Sequence, residues 1–437
     1  MTDTVYPAWN LLLAPSEQGT PHRIVKSAHG HRLVFAEGGE VLDGTSGLWN
    51  VNLGYGNRVI AQAVADALVD ASYLPSFRYS HDYSQAAARA LIDAAGPEHF
   101  AKVLFSTSGS AVNDATMKLA RQYAALIKEP QRRLVVGLKE SYHGQTFGAM
   151  ALSGEELGQE LYGVDRSLLR HVDPFDPAEL EELMHQCGEQ VAAMVIEPVM
   201  GTGCREIPAE MISAILRLRR EHGFILVCDE VASGFGRVGP LFASQEFPEP
   251  PDILLTSKGL TNGTCGAAAL LAGPHIWAAF EAADTMFVHG STQAGTPPSC
   301  AAITATLGEF DALGALESGR RNAALLETGL RELAERHETV AELSGRGCMR
   351  GLHLRAERDR PFWGGHITRL VDTVRRHGAL VHPGPSAIEL FPALTYTEAE
   401  IGELLAAVDA GLTEFEDARR ARKSGNRPVA AAATAAG

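Results

Sequence analysis

The chain has 437 residues, of which 45% are hydrophobic and 21% charged, so it can bury a large core. Acidic residues outnumber lysine and arginine by 53 to 38, and the formal charge of −15 argues against nucleic acid or an anionic membrane as main partner. No apolar run approaches the roughly 20 residues of a membrane span, and the first residues do not resemble a secretory signal. The six cysteines are scattered singly, which predicts neither disulfides nor structural zinc and favours a cytoplasmic location.

Short apolar runs alternate with amphipathic stretches between about residues 100 and 275, which predicts an α/β fold with a mostly parallel central sheet. The predicted strands are AKVLF, RRLVVGL, VAAMVIE, FILVCDE, DILLTS and AAALLA. The first 60 residues suggest short strands, and those after 300 suggest helices with two or three strands. We therefore expect an N-terminal segment (1–60) that joins a smaller α+β domain (301–418), a large domain (61–300) and a disordered tail (419–437).

Ligands of such sheets collect at the carboxyl ends of the strands, so the turns there are the candidate sites. The first turn places Gly109 and Ser110 before a helix predicted from about 111 to 128. Free N–H groups at a helix N-terminus, a hydroxyl and a glycine can bind a phosphate group. A capping serine after a strand explains the same residues and, from this segment alone, is the better explanation.

Two further turns carry an aromatic ring and a carboxylate. Tyr142 and His143 follow the strand that ends at Leu138, and a tyrosine there can stack on a planar ring, although a surface aromatic is the common alternative. Glu197 follows the strand VAAMVI, where a loop acid is also common. His143 is expected to be a structural hydrogen-bonding group rather than a general base.

The strand FILVCDE delivers Asp229 and Glu230 behind five apolar residues. A buried carboxylate stays ionised only beside a cation or strong donors, and a protonated ring nitrogen would serve. The glycines that follow match a G-x-G-x-x-G dinucleotide pattern, but Pro240 stands where the crossover helix should be, so we interpret them as a turn.

Lys258 stands just past the strand DILLTS. A lysine at a site of low polarity has a depressed pKa and becomes a nucleophile for carbonyl groups, although most lysines at such positions are structural. Together the turns offer a phosphate site, a ring-stacking residue, an acid for a ring nitrogen and a reactive lysine. That set is what pyridoxal 5′-phosphate requires.

On these motifs the sequence resembles the class III aminotransferases, pyridoxal-phosphate enzymes of fold type I, from about residue 20 to 415. The matching segments are Ser-Gly-Ser with Asn113 and Asp114, Tyr-His-Gly, Glu-Pro, Asp-Glu-Val with GFGRVG, and Ser-Lys-Gly. The segment GTSGLWNVNLG is similar to the substrate mouth of ω-transaminases. HGSTQAGTPP is similar to the loop that reaches the neighbouring subunit's site, which implies a homodimer with shared active sites.

The resemblance implies a role for each matched residue. Lys258 would bind the cofactor and shuttle a proton, and Asp229 would keep its ring nitrogen protonated. Tyr142 and Val231 would sandwich the ring, and the phosphate would be held by Gly109, Ser110 and Thr292 of a partner subunit. The candidate site also includes these residues: His143 at the cofactor, and Trp49, Tyr142, Glu197 and His382 at the substrate. The implied reaction is a ping-pong transfer of an amino group from an amino donor to an aldehyde or ketone.

The sequence departs from the family pattern where carboxylate-binding arginines occur. Those positions fall on His382 and Glu389, and no arginine lies between Arg376 and Arg419. Neither residue offers the guanidinium fork that suits a carboxylate. We therefore expect one substrate to be a carbonyl compound without a nearby carboxylate, and the pattern resembles enzymes that aminate the C-terminal ketone of a ribosomal peptide natural product, as in daptide biosynthesis.

Other interpretations stay open. A polyamine or ω-amino-acid transaminase is the main alternative, and an aminomutase or racemase would use the same cofactor and residues. The nearby histidines His22, His29 and His31 are expected to be solvated loop residues rather than metal ligands, because carboxylate and cysteine partners are scarce around them.

Overall fold

The computed structural model describes residues 7–355 and 364–423 of the chain. Its strands have the following bounds: β1 Val25–His29, β2 Arg32–Phe35, β3 Glu40–Asp43, β4 Lys102–Ser106, β5 Leu134–Leu138, β6 Leu169–Val172, β7 Val191–Ile196, β8 Ile225–Asp229, β9 Ile253–Thr256, β10 Ala268–Ala272, β11 Val340–Arg346, β12 Met349–Leu354, β13 Ala379–Leu380, β14 His382–Gly384 and β15 Ala387–Leu390. The six strands predicted in the central region are confirmed as β4, β5, β7, β8, β9 and β10. The short strand β6 was not predicted.

The helices have the following bounds: α1 Ser46–Trp49, α2 Arg58–Ala71, α3 Asp82–Ala95, α4 Gly109–Leu126, α5 Phe147–Leu152, α6 Pro177–Cys187, α7 Ala209–His222, α8 Pro274–Ala282, α9 Pro297–Ala312, α10 Ala315–Arg336, α11 Gly364–Arg376 and α12 Glu398–Lys423. Helix α1 is a single turn with an irregular backbone. Helix α4 begins two residues before its predicted start, because Ser108 caps it through a hydrogen bond from the Ala111 N–H at 3.2 Å.

Seven strands form the central sheet, in the order β4-β10-β9-β8-β7-β5-β6. Only β10 runs antiparallel to its neighbours, so the other six strands end at the same edge of the sheet. Strands β7 and β8 are buried along their full length. Continuous apolar runs of this kind are typical of parallel strands covered on both faces by helices, and they confirm the predicted α/β class.

Two four-stranded sheets lie outside the central one. In the first, β1, β2 and β3 from the N-terminal part are joined by β13, whose residues Ala379–Leu380 pair in parallel with Leu42–Asp43. The second has the order β11-β12-β15-β14 and comes entirely from the C-terminal part. The described residues after 300 therefore hold five strands rather than two or three. One sheet does combine both chain ends, as the predicted smaller domain requires, while the domain boundaries stay a prediction.

The last helix extends the ordered chain further than the sequence suggested. Helix α12 continues to Lys423, so residues 419–423 are helical, and 424–437 lie outside the described residues. Within the described ranges, no helix is long and apolar enough to cross a membrane, and no three His, Cys, Asp or Glu side chains group to hold a metal. All six cysteines are free thiols.

Candidate active site

A cavity of about 350 Å³ lies at the edge of the central sheet where the six parallel strands end. It brings together ten of the eleven residues that the sequence nominated: Trp49, Gly109, Ser110, Tyr142, His143, Glu197, Asp229, Val231, Lys258 and His382. The eleventh, Thr292, is exposed on the loop before α9 and does not line this chain's cavity. The expected place for Thr292 is a partner subunit's site.

The N-terminus of α4 forms one side of the cavity. Its first turn has backbone N–H groups without partners inside the helix, which suits a negatively charged group. The Ser110 hydroxyl accepts a hydrogen bond from the Gln145 N–H at 3.1 Å and keeps its own proton available for a ligand. Gly144 packs so closely that a Cβ atom there would lie 2.2 Å from the Ser110 Oγ. Glycine at 144 therefore keeps this anion site open.

Asp229 ends β8 with its carboxylate almost fully buried. Its Oδ2 atom accepts hydrogen bonds from the Asn113 amide and the His143 Nδ1, both at 2.8 Å, and its Oδ1 atom accepts one from the Val231 N–H at 3.1 Å. Three donors fix the orientation of the carboxylate. A buried anion held in this way is suited to bind a protonated ring nitrogen.

His143 is fully enclosed beside this carboxylate. Burial opposes the charged imidazolium, but the hydrogen bond and charge of Asp229, with the charge of Glu197, raise the pKa of His143 above its ordinary value. Its Nδ1 is committed to Asp229 and lies 2.8 Å away. This arrangement agrees with the predicted structural role, because an imidazole bound to Asp229 holds that carboxylate in place.

Lys258 enters the cavity from the turn after β9. Burial lowers the pKa of its ammonium group to about 8, although the charges of Glu197 and Asp229 oppose the change. Its backbone is held at a φ of 47°, a left-handed conformation that is unusual for a residue with a side chain and is common at active sites. The lowered pKa gives Lys258 a larger neutral, nucleophilic fraction than an exposed lysine has.

Glu197 follows β7 and binds two backbone N–H groups at the cavity wall. Its Oε2 accepts a hydrogen bond from the Tyr142 N–H at 2.8 Å, and its Oε1 accepts one from the Gly201 N–H at 3.0 Å. Burial raises the pKa of Glu197 to about 7, against the opposing charge of His143. Glu197 thus fixes the backbone that carries Tyr142 at the cavity wall.

Trp49 is carried by a left-handed turn. Residues 46–49 all have φ values between 48° and 65°, and the Asp43 carboxylate holds the turn by accepting hydrogen bonds from the Thr45 and Gly47 N–H groups. The Trp49 ring lies 4.2 Å from the Lys258 Nζ, with ring centroids 5.2 Å from His382 and 4.8 Å from Phe391. Trp49 therefore separates the reactive lysine from the sheet that carries His382.

The wall opposite the central sheet comes from β14, β15 and two loops. His382 pairs in register with Glu389, and burial together with the charge of Lys258 lowers the pKa of His382 to about 4, so its imidazole is neutral. Glu155 and Thr202 complete this wall. Glu155 was not predicted, because its loop reaches the cavity only in the folded chain.

The GFGRVG turn has a structural role, as expected. The Arg237 side chain is fully buried and donates to the Pro392 carbonyl oxygen at 2.6 Å and to the Asn52 side-chain oxygen. It joins the turn to the strand connections around the cavity. One sequence expectation was wrong: His31 is not a solvated loop residue, because its ring bonds Glu400 and Thr395, each at 2.9 Å.

Comparison with known proteins agrees with this geometry. Residues 13–412 match the family model for class III aminotransferases. The chain is 26% identical to diaminobutyrate–2-oxoglutarate transaminase of Halomonas elongata (91% of this chain, 92% of that one) and 31% identical to acetylornithine aminotransferase of Neisseria meningitidis (91% and 96%). The structure of an amine transaminase from an uncultivated Pseudomonas species, in its pyridoxal-phosphate-bound form, superposes with a TM-score of 0.89 at 30% identity, covering 93% and 98% of the two chains. The protein belongs to the class III aminotransferases and uses pyridoxal 5′-phosphate.

The residues present fit that cofactor. The start of α4 with Ser110 would hold the phosphate, the Asp229 carboxylate would hold the ring nitrogen, and Lys258 would bind the aldehyde carbon. When bound, pyridoxal phosphate supplies an electron-withdrawing ring that stabilises negative charge at the substrate carbon. The Asp229 carboxylate would keep the ring nitrogen protonated for that purpose. Lys258, with its lowered pKa, is suited to take the proton from the substrate carbon and return it.

Proposed function

We propose that this enzyme transfers an amino group, by a ping-pong mechanism, from an amino donor to an aldehyde or ketone that lacks a carboxylate near the reacting carbon. The observation that carries this proposal is the charge of the cavity. Among the described residues that line it, Lys258 is the only lysine and none is an arginine. The positions where the family resemblance places an arginine hold Glu389 and the neutral His382, and neither supplies the positive charge that pairs with a carboxylate.

A comparison of rates tests this proposal. The enzyme is first incubated with an amino donor and is then supplied, in separate reactions, with a simple methyl ketone or with a keto acid of equal size. We expect kcat/KM to favour the methyl ketone, because a carboxylate placed beside buried carboxyl groups receives no compensating charge. A strong preference for the keto acid would refute the proposal.

A longer acceptor, such as the C-terminal ketone of a peptide, is a second candidate. A cleft of about 870 Å³ shares Glu155, Thr202 and Pro385 with the cavity, so the distal part of a long substrate has room to leave it. Lower KM for a peptide ketone than for a short methyl ketone would support it. An aminomutase or racemase would run without consuming a separate amino donor, and that consumption separates transfer from isomerisation.

The homodimer with shared active sites is part of the proposal. Large apolar side chains on segments near the cavity loops are exposed in the single chain: Leu11, Leu12, Phe77, Tyr79, Phe147, Leu161, Tyr162, Met286 and Val288. Exposed apolar groups in this number favour an interface over a monomer. Thr292 is exposed on the loop that follows Val288, as expected of a residue that completes the partner's phosphate site.

A further inference from the structure

The cavity holds more carboxyl groups than the chemistry of the cofactor requires. Four carboxyl groups line it, from Glu155, Glu197, Asp229 and Glu389, against the single ammonium group of Lys258. The Asp229 carboxylate is held by three donors and would face the cofactor's ring nitrogen. The Glu197 carboxylate accepts two backbone hydrogen bonds. Neither Glu155 nor Glu389 has a role in the transfer reaction as described above.

Glu389 lies on β15, and only 1% of its surface is exposed to solvent. Its Oε1 accepts a hydrogen bond from the Gly203 N–H at 2.8 Å, while its Oε2 has no hydrogen-bond partner in the described part of the chain. Arg350, on the adjacent strand β12, does not neutralise it, because its guanidinium group binds Glu327 instead. A buried carboxyl group without a cation is costly unless it is protonated or meets a positive ligand.

Glu155 adds a second carboxyl group to the same wall of the cavity. Its Oε2 accepts a hydrogen bond from the Thr202 hydroxyl at 3.3 Å, and the peptide N–H of the adjacent Gly203 binds Glu389. Burial, together with the negative charge of Glu155, raises the pKa of Glu389 to about 8. A cation bound at this wall would offset the cost of burying both carboxyl groups.

We propose that Glu389 and Glu155 bind a second, positively charged nitrogen of the substrate, so that the preferred substrates are diamines and the amino aldehydes or amino ketones related to them. This inference rests on the proposed function and names its substrate class. The amine that reacts lies at Lys258, and the other nitrogen lies at the opposite wall. Two charge-assisted hydrogen bonds to carboxylates would hold it.

The residues between Lys258 and Glu389 suit a substrate with an amine at each end. Trp49 contacts Lys258 on one side and His382 on the other, and His382 pairs in register with Glu389. Because the His382 imidazole is neutral, it does not compete with a substrate cation for the carboxylates. The Trp49 ring can contact the hydrocarbon chain of a diamine, and the carboxyl groups of Glu155 and Glu389 can bind its distal ammonium group.

The test uses the holoenzyme and the first half-reaction, followed by the change in cofactor absorbance. We compare α,ω-diamines of three to six carbons with unbranched alkylamines of equal length. We expect the best diamine to exceed its matched monoamine in kcat/KM about tenfold or more, the range of a charge-assisted hydrogen bond. The Glu389→Gln substitution should bring that ratio to within about threefold of one, while its amide oxygen can still accept the Gly203 bond. Glu160→Gln removes an exposed charge from the same segment at a position that lines neither the cavity nor the cleft, and should leave the ratio unchanged.

The outcomes separate the two proposals. Equal rates for diamines and monoamines would overturn the ammonium site and leave the proposed function intact. A diamine preference that survives both Glu389→Gln and Glu155→Gln would also overturn it. Reaction with amino acids but with neither class of amine would overturn the ammonium site, while the comparison of methyl ketone with keto acid still decides the proposed function. Should Glu389→Gln fail to fold, the wild-type series and the half-buried Glu155→Gln decide the question.

Discussion

The two walls of the cavity are built in different ways. The cofactor wall consists of residues at the ends of the parallel strands: Gly109, Ser110, Tyr142, Asp229 and Lys258. The substrate wall comes from the left-handed turn, two loops and the C-terminal sheet: Trp49, Glu155, Thr202, His382 and Glu389. The cofactor wall holds its groups at the edge of a single sheet, as Asp229 is held by Asn113 and His143. The substrate wall instead depends on how loops and a second sheet pack against that edge.

The largest effect is expected from a substitution in the cofactor wall. Lys258→Ala should lower kcat by about a thousandfold or more, because it removes both the covalent link to the cofactor and the group that moves the proton. Turnover measured with saturating pyridoxal phosphate checks this. Lys102→Ala, an exposed position on β4 outside the cavity, serves as control and should keep wild-type activity. Substantial turnover by the Lys258 variant would show that another residue carries the proton.

Asp229→Asn should lower kcat by roughly a hundredfold, since a neutral amide cannot keep the ring nitrogen protonated. The same change leaves the buried His143 without its anionic partner, so the midpoint of urea unfolding should also fall. Asp165→Asn, at an exposed loop position, controls for the loss of one negative charge. Unchanged kcat in Asp229→Asn would separate this carboxylate from the chemistry.

The pH dependence of the rate at which the apoenzyme binds its cofactor tests the state of Lys258 in the cofactor wall. Only the neutral amine of Lys258 reacts, and with a pKa of about 8 its fraction rises with pH and then levels off. The rate of reconstitution of the apoenzyme should therefore rise roughly 30-fold between pH 6.5 and 9 and become flat above it. A lysine at its ordinary value of 10.5 would instead keep gaining rate through pH 9 and beyond. Glu197→Gln should move the midpoint lower, because the charge of Glu197 raises the pKa of Lys258.

The smallest expected effect concerns the contribution of a partner subunit. Thr292→Ala should raise the Kd for pyridoxal phosphate about tenfold, the value of one hydrogen bond to a charged phosphate. Ser291→Ala, at the preceding position, is the matched control. Sedimentation should show a dimer for both variants. An unaltered Kd in the Thr292 variant, with the dimer intact, would remove this residue from the phosphate site.

Local patterns in the sequence singled out the residues that line the cofactor wall, and their roles stay predictions. Asp229 follows an apolar run and Ser110 starts a helix, and both features persist in the fold because strand ends and helix starts are set by nearby residues. The substrate wall was predicted only in part. Trp49 and His382 were found through a family resemblance, while Glu155 lies in a loop with no pattern of its own. Its place at the cavity depends on contact with Thr202, 47 residues away.

The sequence by itself determined an α/β protein with a pyridoxal-phosphate site, because apolar runs and their polar ends define both the strands and the groups that follow them. Through the family resemblance, it also predicted that Glu389 stands at a position where an arginine is expected. Only the tertiary structure decided that Glu389 is buried, that it lacks a cation among the described residues, and that Glu155 lies close enough to raise its pKa. Those properties arise where β15 meets loops of the large sheet, and a charge buried between distant segments leaves no local signal in the sequence.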